Sequence, residues 1–487
     1  MIKGPTVDWL AIAPPLTLIV AAFALLLAAA FIPGRDRVLG LAVGIAAFAV
    51  SGGFAIKAWG DPAVFTLARA VQIDQLTQAV SVIIAGCGFL TLLVALGWNR
   101  LREAGAEFVA LLLLVAAGMD LLAASNSFVT LFVALELFSL SLYVLCAFDV
   151  RSRASLESGF KYLVMGTVGS IVLVYGAAFI YGATGSFGFD AINTALQKAG
   201  SGDGLAIVGT VLVLAGLCFK VGVMPFHMWV PDVYEGAPTP VTGFMSAATK
   251  IAAFVVLARV LLDALPAMRD TWEPALVVLA VVTMIAGNIA ALVQTNLKRM
   301  LAYSSVGAAG FGLIAIIVGG EAGTRGLVFY LAAYAPVTIG AFAVIALHER
   351  DIRGTSTLGS IRGWGFERPL AAAGMVVFLV SFAGFPPTVG FIGKFVVLGS
   401  AVESGFAWLA VAAVIASVIS LGYLLRIILA LYDRSAKSGV AIPAAAGLGS
   451  VNLAIALCLA LVLIVGFLPG FGLDWAREAA STLTAGR

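Results

Sequence analysis

Residues 219–232 read FKVGVMPFHMWVPD and follow directly on LAIVGTVLVLAGLC, residues 205–218. A helix needs ~20 apolar residues to cross ~30 Å of hydrocarbon, and the combined run starts as one. A lysine, two prolines and one of the chain's two histidines then stand where a simple span would continue. Inside a bilayer such an interruption is tolerated only where the freed backbone faces protein or water. The stretch therefore reads as a broken membrane helix around a buried charge, and the fold has to be a helical bundle that encloses it.

Composition agrees. Of 487 residues 62% are hydrophobic and 11% charged, which excludes an ordinary soluble domain. About fourteen apolar runs begin near Leu10, Val38, Leu76, Phe108, Phe128, Phe160, Leu205, Val241, Leu276, Leu301, Leu327, Leu370, Phe406 and Leu453. The alternation of a β-barrel is absent, so the expected fold is an all-α polytopic membrane protein. The first run lacks a small-residue cleavage pattern and reads as a retained span, with the mature chain starting near Met1. FGFDAINTALQKAG, residues 187–200, puts Phe189, Ile192 and Leu196 on one face and is too short and polar to span, so it is expected to lie at the outer interface.

Fourteen Lys and Arg residues, from Arg35 to Lys437, fall in loops after odd-numbered spans, against eight on the other side, from Lys3 to Arg487. The richer side is cytoplasmic by the positive-inside rule, which places both termini outside. The chain is read as one membrane domain, residues 1–487. Within it, 1–105 carry three N-terminal helices and 448–487 the last span and C-terminus. A second interrupted span, SFAGFPPTVGFIGKFVVLGSAVESG at 381–405, lies five spans after the first. Broken apolar segments in two halves of a transporter-like chain point to an ion site. The odd offset reverses direction through the membrane, which suits two inverted five-helix repeats, 106–265 and 272–432, with spans seven and twelve discontinuous.

The remaining six cations lie within spans, where an ionisable group costs at least ~2.5–3.5 kcal/mol. Arg426, and Arg259 beside Asp263, read as snorkelling to an interface. Lys161, near the cytoplasmic start of its span, reads equally as snorkelling or functional, and Asp120 as solvated at the outer end of span four. Lys220, Lys250 and Lys394 are too deep to snorkel, and Glu136 sits mid-span in FVTLFVALELFSLSLYVL, residues 128–145. Burial disfavours a charged lysine and a nearby carboxylate restores it. A Lys220 whose Glu136 neighbour moves is therefore a proton switch, with Lys250 and Lys394 as relay and exit. His227 either links water-filled cavities or packs beside Trp229. Tyr303, Ser304 and Ser305 either support a water chain or satisfy helix contacts.

Several classes are excluded. The chain has no P-loop, no dinucleotide glycine fingerprint, no cysteine cluster and too few histidines for several haems. No metal or cofactor site is expected in it. Its four cysteines are isolated in apolar runs and read as core. A net charge of +3 with dispersed cations speaks against nucleic acid.

At this point FKVGVMPFHMWVPDVYEGAPTPVTGFMSAATK, residues 219–250, resembles the signature of the antiporter-like, proton-conducting membrane subunits of respiratory complex I, NADH:quinone oxidoreductase. PDVYEGAPTPV at 231–241 looks most like the subunit N type, the bacterial counterpart of mitochondrial NADH dehydrogenase subunit 2. LFVALELFSLSLYVL at 131–145, NLKRMLAYSSVGAAGF at 296–311 and GFPPTVGFIGKF at 384–395 extend the likeness over essentially the whole chain. Subunit L types carry a long lateral C-terminal helix that this chain lacks, and subunit M types a glutamate where Lys394 stands. The resemblance implies fourteen spans and a midplane proton path of Glu136, Lys220, Lys250 and Lys394, with His227, Lys161 and Tyr303 as weaker candidates. It further implies neighbouring membrane subunits in a bacterial inner membrane, and NAD, FMN, iron–sulfur clusters and quinone (ubiquinone or a related one) held by other subunits. A multi-subunit sodium/proton antiporter subunit is the alternative, and a purely structural membrane scaffold a third reading.

Overall fold

The computed structural model describes residues 7–31, 36–98, 105–200, 202–435 and 449–484. Among them thirteen helices are long and apolar enough to cross a membrane. In order they are Ala13–Phe31, Val38–Lys57, Gln75–Ala95, Gly105–Ala123, Phe128–Cys146, Arg153–Thr184, Gly204–Val221, Thr239–Ala264, Pro266–Leu292, Leu297–Val318, Gly320–Ile352, Ala407–Leu431 and Gly449–Phe467. Between the eleventh and the next run two shorter pieces, Pro369–Ala383 and Val389–Glu403, which together make the twelfth span. Counting these two pieces as one span, the described residues hold fourteen, with Ala407–Leu431 the thirteenth and Gly449–Phe467 the fourteenth.

Local sequence sets the ends of these helices. Asp74, Ser127, Ser152, Asp203 and Asn296 each cap one, accepting the backbone N–H two or three residues on. The two breaks begin at Gly222 and Gly384, whose φ of +80° and +85° lie in the left-handed region that glycine enters freely. After the first break Trp229–Gly236 forms the second half of span seven. Trp229 fixes that half by donating its indole N–H to the Phe219 carbonyl at 2.9 Å and stacking on Tyr162.

Burial is uneven. The eighth, tenth and eleventh spans are almost wholly enclosed, while the first, thirteenth and fourteenth turn most of their surface outward. The eleventh span, at 33 residues, is ~50 Å long at ~1.5 Å per residue. It packs on the tenth, on both halves of the twelfth and on the fourteenth. The eighth contains two π-helical turns, Met245–Thr249 directly before Lys250 and Val260–Ala264 directly after Arg259. Such turns widen the helix locally and are frequent at functional sites.

Phe189, Ile192 and Leu196 are buried on the short helix Phe189–Ala199, as their spacing predicts, and the four cysteines are free and buried. Two elements escape the sequence reading. Val64–Thr66 and Val71–Ile73 pair as an antiparallel hairpin whose three-residue strands are too short to show a period. Pro469–Thr484 forms a further helix after the last span.

Two expectations are corrected. Arg259 does not snorkel: it is 1% exposed and donates to the Asp74 carboxylate at 2.6 Å, the Thr77 hydroxyl at 2.9 Å and the Ala123 carbonyl at 2.7 Å. Asp263, its sequence neighbour, stands off at 4.0 Å. The reason is that the N-terminus of span three and the C-terminus of span four converge on it, and no local window displays a partner 185 residues away. Asp120 is not solvated either, being 1% exposed against the first three spans. Of the cations behind the orientation, Lys3, Arg35, Arg100, Arg102, Lys437 and Arg487 lie outside the described residues.

Candidate functional site

Three of the four deep candidates sit beside a helix break or irregularity. Lys220 occupies the last turn before the first break, where the negative end of the helix dipole favours a cation. It is 6% exposed and its ammonium donates to the Ser139 hydroxyl at 3.2 Å. Glu136 lies on the same helix one turn before Ser139 and is partly buried, with Oε1 free of any hydrogen bond among the described residues. The two charges form no direct ion pair, but the carboxylate acts on the ammonium through space.

Lys250 is 4% exposed and directly follows the first π turn of span eight. It donates to the Ser305 carbonyl and lies 5.5 Å over the ring of Tyr334. The Ser305 hydroxyl, without a full hydrogen bond of its own, is approached by the phenols of Tyr234 and Tyr334.

Lys394 stands in the second half of span twelve and reaches back across the break. Its ammonium donates to the carbonyls of Phe382 at 2.8 Å and Ala383 at 3.2 Å and to the Ser417 hydroxyl at 3.3 Å. Those carbonyls are freed where the first half of the span ends, so the break supplies acceptors and dipole to the cation together. Gly390 permits this turn, since a Cβ there would stand 2.1 Å from the Ser381 carbonyl.

Lys394 also lines a cavity of about 40 Å³ with Tyr334, Ser304, Ser381, Ser417 and Tyr423. That is room for about three or four waters, since one occupies ~10–15 Å³ on this measure. Tyr334 therefore has Lys250 on one side and the Lys394 cavity on the other. No hydrogen-bonded chain among the described residues joins Lys220 to Lys250.

The weaker candidates fall elsewhere. Lys161 joins an ion-pair cluster with Glu157 at 2.8 Å and Asp232 at 3.0 Å, and Arg299 binds the same Asp232 at 2.5 Å and Glu235 at 3.0 Å. This cluster fastens the second half of span seven to spans six and ten. His227 is half-buried, its Nδ1 without a full hydrogen bond among the described residues, with its ring 6.1 Å from that of Tyr303. Tyr303 is thereby separated from Ser304 and Ser305, which turn inward to Tyr423 and Lys250.

Sequence reasoning passed over Ser139, Asp232, Tyr334, Tyr423 and Asn288. Asp232 closes the opening stretch, and Asn288 and Tyr423 are polar interruptions of apolar runs, a signal that a search limited to charges misses. Tyr423 bonds Asn288 Oδ1 at 2.9 Å and Ser304 Oγ at 2.8 Å across three spans. Tyr423→Phe leaves two buried polar groups, the Asn288 carbonyl oxygen and the Ser304 hydroxyl, without this partner and should lower stability by about 1–3 kcal/mol, read from thermal unfolding in detergent.

No three His, Cys, Asp or Glu side chains gather into a metal-binding group among the described residues. The arrangement suits proton transfer along lysines, hydroxyls and water.

Residues 125–420 match the family described as "NADH:quinone oxidoreductase/Mrp antiporter, TM". The chain belongs to this family. Among curated relatives it is 38% identical over 485 residues to "NADH-quinone oxidoreductase subunit N" of Trichlorobacter lovleyi, covering 98% of each chain. It is 41% identical over 398 residues to the protein of that name from Rhodospirillum rubrum, covering 81% of each. Among solved structures, a chain of respiratory complex I from Thermus thermophilus with bound aureothin superposes with a TM-score of 0.80 at 32% identity, covering 95% of this chain and 98% of that one. A chain of the Mrp complex from Dietzia sp. gives 0.82 at 21% identity over 98% of both, which shows the common fold alone.

Proposed function

We propose that this chain is the subunit N-type, proton-translocating membrane subunit of a bacterial NADH:quinone oxidoreductase, working without a redox centre of its own. The supporting observation is the set of Lys220 and Lys250, both buried, and the partly buried Lys394, each beside a helix break or π turn, in a chain similar over its length to proteins of that name. NADH, flavin, iron–sulfur clusters and quinone belong to other subunits, and adjoining membrane subunits are its partners. The bacterial inner membrane is its site, with both termini on the periplasmic side.

Glu136 and Lys220 form the switch, Lys250 the relay, and Lys394 the exit. In the observed arrangement the Lys220 ammonium rests on the Ser139 hydroxyl and Glu136 Oε1 has no hydrogen-bond partner among the described residues, so the two charges stand apart without an ion pair. Transfer to Lys250 needs water or side-chain movement between them, and transfer onward passes Tyr334 into the hydrated cavity. Spans four to eight and nine to thirteen act as two inverted repeats, each with its fourth span broken. Lys161 belongs to the clamp on span seven rather than to the path, and His227 with Tyr303 marks a side branch.

Glu136→Gln tests the switch. An opposite charge within a few Å is worth about 1–3 pKa units, so quinone-coupled proton uptake into inverted membrane vesicles should slow at least about tenfold with the complex still assembled. An unchanged rate removes Glu136 from the path. Overall identity of 38% and 41% with subunit N proteins, against 21% with the Mrp chain, favours the oxidoreductase over a sodium/proton antiporter.

A further inference from the structure

We propose that the ends of the first four spans enclose a second proton-holding site, in which a neutral Asp120 carboxyl keeps one internal water against Gln78. Both Asp120 oxygens are buried without a hydrogen-bond partner among the described residues, and so is Gln78 Oε1. The Ser81 hydroxyl faces Asp120 without closing a full bond. These side chains line one chamber of about 10 Å³ with Thr77, Pro14 and Phe54. That volume is at the threshold for a single water, and the walls supply the two to four polar partners such a water needs.

Neutrality follows from the surroundings. A buried carboxylate keeps its charge only when paired or coordinated. Arg259 spends Nε on the Ala123 carbonyl and one terminal nitrogen on Asp74 and Thr77, and its other terminal nitrogen stands 4.0 Å from Asp263. Asp8 accepts from the N–H groups of Leu10 and Ala11, Lys57 ends the second span on the exposed surface, and Glu478 is held by Trp59. None of them pairs with Asp120, so the carboxyl keeps its proton and donates it to the water, which in turn donates to Gln78 Oε1.

A bound sodium ion is the competing occupant, since Asp120, Gln78, Ser81 and Thr77 are all oxygen ligands. The Thr77 hydroxyl, however, already donates to Asp74 and accepts from the Arg259 guanidinium, so it is engaged outside the chamber. That leaves a cation only three of these side chains as ligands.

The Asp120 chamber is distinct from the cavity that Lys394 lines. Infrared difference spectra of the assembled complex in liposomes test it. Wild type minus Asp120→Asn should show one carboxylic-acid C=O band that shifts in deuterated water. Gln78→Leu should keep that band but move it to higher wavenumber, because the acid loses its bridge. Absence of the band in wild type, or its appearance only when sodium is withdrawn, overturns the proposal. If Asp120→Asn fails to assemble on native gels, the Gln78→Leu spectrum decides alone, and an unmoved band overturns it.

Discussion

Arg259→Met is expected to destabilise the subunit by about 3–5 kcal/mol, enough to empty the membrane of intact complex, because it leaves the Asp74 carboxylate buried without its countercharge. Asp74 is 0% exposed, and the guanidinium contacts it at 2.6 Å. The pair joins span eight to the first turn of span three, and the same arginine holds the end of span four through the Ala123 carbonyl. Asp74 also caps its helix through Thr77, so Asp74→Asn is the appropriate partner change: it keeps a capping oxygen and removes the charge. The double variant Asp74→Asn, Arg259→Met should recover most of the loss, since an uncompensated charge costs more than an absent pair. Native gels and thermal unfolding in detergent report both effects. Wild-type stability in the single variant would show that the pair contributes nothing.

Lys250→Met should abolish quinone-coupled proton uptake in inverted vesicles, while assembly and NADH oxidation by an artificial acceptor persist. The relay passes through one ammonium, and a thioether can neither take nor give a proton. The informative companion is Lys250→Arg. Arginine keeps the positive charge but stays protonated under all conditions reached in proteins, with a pKa above ~12. If Lys250 only neutralises the surrounding dipoles of Ser305 and Tyr334, arginine should restore function. A relay instead requires that arginine fail about as completely as methionine. Restored uptake in the arginine variant would therefore remove the relay role and leave a structural charge.

The eighth span shows how these two predictions are linked. Lys250 and Arg259 lie nine residues apart on one enclosed helix, ~13.5 Å at ~1.5 Å per residue, and each adjoins a π turn. One cation is locked by a carboxylate, a hydroxyl and a carbonyl, and the other is held by a carbonyl and a ring face. The first is built to keep its charge, and the second has no counterion to prevent losing it.

The apolar runs, the two breaks, the short amphipathic helix Phe189–Ala199 and the three deep lysines are legible in the chain alone. These follow from hydrophobic length, from glycine and proline, and from the cost of a charge in hydrocarbon, all of which act within some twenty consecutive residues. Only the tertiary structure decided what each charge meets. Arg259 and Asp120 were misread because their surroundings come from spans distant in the chain, so that a residue near a helix end can be the most enclosed in the bundle. Lys394 and Tyr334 share a cavity, Tyr303 turns away from Ser304, and Lys161 joins a clamp for the same reason. Depth along a helix is a local property, whereas the direction a side chain faces and the partner it finds there depend on how fourteen spans pack together.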